Sequence, residues 1–117
     1  MIKIETHLGV IEISREFFAN LIGWVTSGCF GVSGMATSGA VDGLKQLVST
    51  RRTLDKGVRV SAEDNKLIID LHIIVSFGVN ISAIVKSIVN KVKYTVEDAT
   101  GLEVTKVNVY VDGMTAQ

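Results

Sequence analysis

Apolar residues alternate with polar ones at Val58, Val60 and Ala62, with Arg59, Ser61 and Glu63 between them, and again at Leu67, Ile69, Leu71, Ile73 and Val75. A period of two sends successive side chains to opposite faces, so both runs predict strands, and Asp64-Asn65 supplies the turn of a β-hairpin. The period then changes. Ile81, Ile84, Val85, Ile88, Val92 and Val96 fall on one face of a long helix, with Lys86, Asn90, Lys93 and Glu97 largely opposite. Gly78 ends the preceding strand, Asn80 caps the helix and Gly101 stops it. Phe17, Phe18, Leu21, Ile22 and Val25 repeat the helical spacing over residues 15–27, with Ser14 as N-cap, Glu16 in the first turn and Gly28 as the stop.

The remaining pattern completes one domain over residues 1–117. Residues 2–13 read as a strand, Ile2 and Ile4 first and then Ile11 and Ile13, with the phase slipping at a bulge or tight bend near Gly9. Cys29 to Met35 reads as a short strand and Thr37 to Gly39 as a loop. Val41, Leu44, Leu47 and Val48 place a short helix over Val41–Ser49, followed by an exposed connection, Thr50–Lys56. The last strand spans Glu103–Val111, with Val107, Val109 and Val111 inward and Lys106, Asn108 and Tyr110 outward. The order β-α-β-α-β-β-α-β predicts an α+β fold, a two-layer sandwich whose helices cover one face of a mixed or antiparallel sheet.

Composition narrows the function classes. Hydrophobic residues make up 47% of the 117 and charged residues 21%, which excludes disorder. Twelve basic and twelve acidic residues cancel, so the chain lacks the field that drives phosphate-backbone binding. One cysteine, Cys29, allows neither an internal disulfide nor a cysteine metal cluster and suits a reducing cytosol. Glu5 and Glu12 interrupt the first apolar run, which therefore fails as a signal peptide, and no window is apolar enough to span a membrane.

Several blocks, in order and spacing, resemble a known family: Thr6-His7-Leu8-Gly9-Val10-Ile11-Glu12-Ile13-Ser14, Gly31-Val32-Ser33-Gly34-Met35, Lys56-Gly57-Val58, Ile74-Val75-Ser76-Phe77-Gly78-Val79-Asn80-Ile81, and the closing stretch from Lys93 to Met114. Together they cover nearly the whole chain and are similar to the alkaline shock protein family, the YloU-like envelope stress response proteins of Gram-positive and related bacteria. The resemblance implies a cytosolic, non-enzymatic protein of cell-envelope homeostasis. It brings no catalytic, cofactor-binding or metal-binding residues to carry over. It further implies self-assembly and association with the membrane through a separate membrane-anchored protein, as in some members.

Other groups of residues carry candidate chemistry. Asp70 and His72 share a strand face opposite Leu71 and Ile73, and a carboxylate can orient a histidine for acid-base work. Without a third partner, and with His7 unconnected to them, they read as polar residues on a solvated face. Cys29 follows a helix instead of starting one, and its neighbours Phe30 and Val32 point to burial. Gly28-Cys29-Phe30-Gly31 and Gly31-Val32-Ser33-Gly34 both spell the GxxG of a KH-type loop, the main support for a competing reading as a small nucleic-acid-binding domain. The intervening residues carry no cation. Lys45, Arg51, Arg52, Lys56 and Arg59, with Lys86, Lys91 and Lys93 on the long helix, read as solvated basic surface that anionic lipid or an acidic protein can meet. The last strand stands apart. Placed at a sheet edge, with no proline to block pairing, it can add a strand from a second copy, and Lys106, Asn108 and Tyr110 are its candidate interaction residues.

Overall fold

The computed structural model describes residues 1–36 and 57–115. Its centre is the predicted hairpin: β4 (Val58–Glu63) and β5 (Lys66–Ser76) pair antiparallel from Val58↔Leu71 to Glu63↔Lys66. Asp64 and Asn65 both take positive φ, 54° and 60°, the type I′ geometry whose twist matches that of the flanking strands. Leu67, Ile69, Leu71, Ile73 and Val75 are fully buried, as their alternation requires.

The sheet resolves as the mixed alternative. Short β3 (Val32–Met35) pairs antiparallel with β5 at Ile73 to Val75, continuing the edge that β4 occupies further back. At the junction the His72 N–H donates to Gly57 O (2.8 Å) and the Ala36 N–H to His72 O (2.9 Å). A side chain at Gly57, φ +78°, would meet the carbonyl oxygens of Ala36 and His72, each 2.8 Å from the added carbon, so the seam closes only around glycine. Along the other edge of β5 runs β6 (Val104–Thr115), parallel, from Leu67↔Val104 to Ser76↔Thr115. Parallel neighbours need a crossover, and α2 (Ile81–Thr100) is that connection. β6 continues past the expected Val111, with register shifts near Thr105 and Asp112.

Both described helices cover one face. α1 (Arg15–Ser27) contacts β3, β4 and α2, while α2 also contacts β6. Ser14 Oγ accepts the Phe17 N–H and Asn80 Oδ1 the Ala83 N–H, as the capping residues predict. Phe18 and Ile22 from α1 meet Ile84, Ile88, Val92 and Val96 from α2 in the core, where each large side chain contributes roughly 1.5–3 kcal/mol of burial.

One element is corrected. Residues 2–13 are a hairpin, not a single strand: β1 (Ile2–Thr6) and β2 (Gly9–Ile13) pair antiparallel from Ile2↔Ile13 to Thr6↔Gly9. The phase slip marks a reversal. Thr6 Oγ1 donates to Gly9 O (3.0 Å) and accepts the Leu8 N–H (3.2 Å), tying off the turn. The hairpin docks where the Glu5 N–H donates to Asn65 Oδ1, 3.1 Å away. The expected loop at Thr37 to Gly39, helix at Val41–Ser49 and connection at Thr50–Lys56 lie outside the described residues.

Candidate interaction surface

The sheet face away from the helices carries the polar half of each alternating strand. Register decides what meets there. Pairing β5 with β6 sets Asp70 opposite Asn108 and His72 opposite Tyr110. The Asn108 amide donates to Asp70 Oδ1 at 2.9 Å, and the His72 ring stacks on Tyr110 with centroids 4.7 Å apart and planes 16° from parallel. Asp112, two positions on from Tyr110, places Oδ2 2.9 Å from His72 Nδ1. At the far end Ser33 Oγ lies 3.0 Å from Ser76 Oγ and 2.7 Å from Thr115 Oγ1, linking three strands through hydroxyls.

Spacing along β5 put Asp70 beside His72; the structure gives His72 a different carboxylate, Asp112, while Asp70 is taken by Asn108. His72 and Asp112 are each about two-fifths open to water, at 42% and 43%. A contact this wet holds strands in register more readily than it sustains a buried acid-base centre. Among the described residues no three His, Cys, Asp or Glu side chains gather to hold a metal. Sequence reasoning missed Asp112, because only the pairing of β5 with a strand forty residues later shows where it sits.

β6, 12 residues long, pairs with β5 and with no other strand among the described residues, which leaves its second edge without a strand partner there. Lys106 and Tyr110 are exposed on it, Tyr110 by 46%, whereas Asn108 is half-buried with its amide turned to Asp70. Val107, Val109 and Val111 pack against the core from the opposite face.

The other candidates separate cleanly. Cys29 is buried, as expected, its Sγ 3.5 Å from Val25 O, whereas its neighbour Phe30 is 88% exposed in the turn that ends α1. Gly28 to Gly31 form that turn and the next glycine, Gly34, lies inside β3, so neither GxxG joins two helices as a KH loop does. Lys93 Nζ bonds Val104 O at 3.1 Å and approaches Glu97 Oε2 at 3.5 Å, leaving Lys86, Lys91 and Arg59 as exposed cations. The expected basic positions Lys45, Arg51, Arg52 and Lys56 lie outside the described residues. Among those described, no helix is long and apolar enough to cross a membrane.

The chain is 39% identical over 114 residues to Uncharacterized protein YloU of Bacillus subtilis, covering 97% of this chain and 94% of that one. It is 35% identical over 113 residues to Uncharacterized protein Spy1614 of Streptococcus pyogenes, covering 97% and 93%. To Uncharacterized protein YqhY of Bacillus subtilis it is 28% identical over 110 residues, covering 94% and 80%. No solved structure matches significantly. The family model for alkaline shock proteins, described by its cell envelope-related function, matches residues 3–116, and with the near full-length relatives this establishes that the chain belongs to the alkaline shock protein family.

Proposed function

We propose that this domain is a non-catalytic assembly module of bacterial cell-envelope homeostasis and stress response, working in the cytosol and held at the membrane by a membrane-anchored protein. It associates with copies of itself through the open edge of β6. The observation that carries the reading is that edge: a long strand paired on one side only among the described residues, with no proline in the chain and one lysine, Lys106, to discourage pairing. Membership of a cell envelope-related family supports the setting. Backbone hydrogen bonds from a second β6 extend the sheet, and Tyr110, already stacked on His72, adds cross-strand contact.

Tyr110→Lys tests it by placing a second lysine on the strand. Sedimentation of wild type and variant at matched concentrations should show association that the folded variant weakens by about tenfold, the order expected where an aromatic contact worth roughly 1 kcal/mol is exchanged for charge repulsion. A wild type that stays monomeric at high concentration, or a variant that associates equally well, sinks the strand-edge mechanism.

A further inference from the structure

On the opposite side of the molecule the helices leave a cleft. Trp24, Val25 and Gly28 form one side and Lys91 and Tyr94 the other, around a volume of about 480 Å³. Trp24 is 77% exposed and Tyr94 71%, an unusual degree of exposure for two large rings facing one groove. Phe17, two helical turns before Trp24 and 44% exposed, lies on the same side of α1 beyond the cleft. Gly28, on the α1 side, adds no side chain to the cleft. Neither its backbone nor its surroundings demand glycine: φ is −82°, and an added carbon would stand 3.6 Å from Val25 O and 3.7 Å from Trp24 O, ordinary contacts. What glycine leaves at this position is room.

We propose that this cleft receives the apolar face of an amphipathic helix from a partner protein, with a carboxylate on that helix meeting Lys91. The inference builds on the reading of the domain as a protein-docking module and names the chemistry of the docked element. Lys91 is the charged side chain on the lining and makes no ion pair among the described residues, so an acidic group beside the apolar stripe complements it. Aromatic walls suit ridges of leucine spaced three and four residues apart. A membrane presents no ridge to enter a concavity, and a single lysine is a weak footing for anionic lipid. Bases can stack on such rings, but a nucleic-acid strand also needs a track of cations that this lining lacks.

The chain has one tryptophan, so its emission reports the cleft alone. The probes are a synthetic helical peptide with leucines at i, i+3, i+4 and i+7 flanked by glutamates, the same peptide flanked by lysines, phosphatidylglycerol vesicles and oligouridylate. The glutamate peptide should shift Trp24 emission to the blue, saturably, and better than the lysine peptide. Lys91→Glu should weaken the glutamate peptide about fivefold and favour the lysine peptide, as expected for reversing a rim charge. Gly28→Leu should crowd the α1 side of the cleft and abolish the shift without lowering the melting temperature. Trp24→Ala, followed by calorimetry, should weaken binding more than about thirtyfold, the loss of a central aromatic anchor. The proposal is overturned if neither peptide shifts the emission, if the shift survives Gly28→Leu, if Lys91→Glu leaves the preference unchanged, or if vesicles or oligouridylate bind and the peptides do not. Sedimentation of the same variants keeps the two ideas apart, because association through β6 persists in them whether or not the cleft binds a helix.

Discussion

Gly31 shows how a single position acquires meaning from a distant neighbour. The run from residue 28 to 40 holds four glycines that look alike in sequence. Gly31 sits at φ +88°, and a carbon added there would collide with Ile84 Cδ1 on α2; at Gly34 nothing lies within 4 Å. Gly31→Ala should therefore destabilise the domain by about 2–3 kcal/mol, combining backbone strain with overpacking, while Gly34→Ala stays within about 1 kcal/mol. Urea unfolding of the two variants measures the difference, and equal midpoints would contradict the packing described for the turn. The same contrast separates Cys29 from Phe30, adjacent apolar residues with opposite fates, one at 4% exposure and the other at 88%. Apolar character alone does not tell the two apart. The turn's geometry admitted one.

Between elements, the join of α2 to β6 is made by side chains of the helix. The Val104 N–H donates to Glu97 Oε2 at 2.9 Å and Val104 O accepts from Lys93 Nζ at 3.1 Å, so both backbone groups at the start of the strand are satisfied by one helical turn. The Val104 N–H, chiefly, and Lys93 hold the Glu97 carboxyl below its usual 4.5, against an opposing effect of burial. A carboxyl depressed in the folded state contributes stability above its unfolded pKa, and that contribution is lost as pH falls through the folded value. Thermal melts on either side of pH 4.5 should show wild type losing stability on acidification more steeply than Glu97→Gln, which cannot titrate there. Parallel slopes would mean the carboxylate is unimportant to the join. Local pattern revealed the helix and its caps because they rest on contacts three and four residues apart. It read β1 and β2 as one strand because a slip in alternation at Gly9 fits a bulge within one strand as well as a reversal between two, and Thr6, whose hydroxyl ties the turn, carries no distinctive spacing.

For the molecule as a whole, balanced charge has a direct consequence. With twelve basic and twelve acidic residues, and a Gly28–Gly31 turn without a cation, the purified protein should bind single-stranded RNA or DNA no better than a neutral control at physiological salt. Fluorescence anisotropy checks this; micromolar binding with a steep salt slope would restore the nucleic-acid reading. Family membership and the layered α+β class were both legible in the chain, the first in ordered blocks of residues and the second in its two hydrophobic periods. Periodicity and capping are short-range physics, so they survive in one dimension and name each element and its apolar face. They do not say which element lies against that face. The parallel seat of β6 beside β5, the His72–Asp112 and Asn108–Asp70 links it creates, the open strand edge and the Trp24–Tyr94 cleft all arise from pairings between residues far apart in the chain. Those pairings were selected when both layers buried their apolar faces together, a cooperative choice that no local stretch of sequence contains.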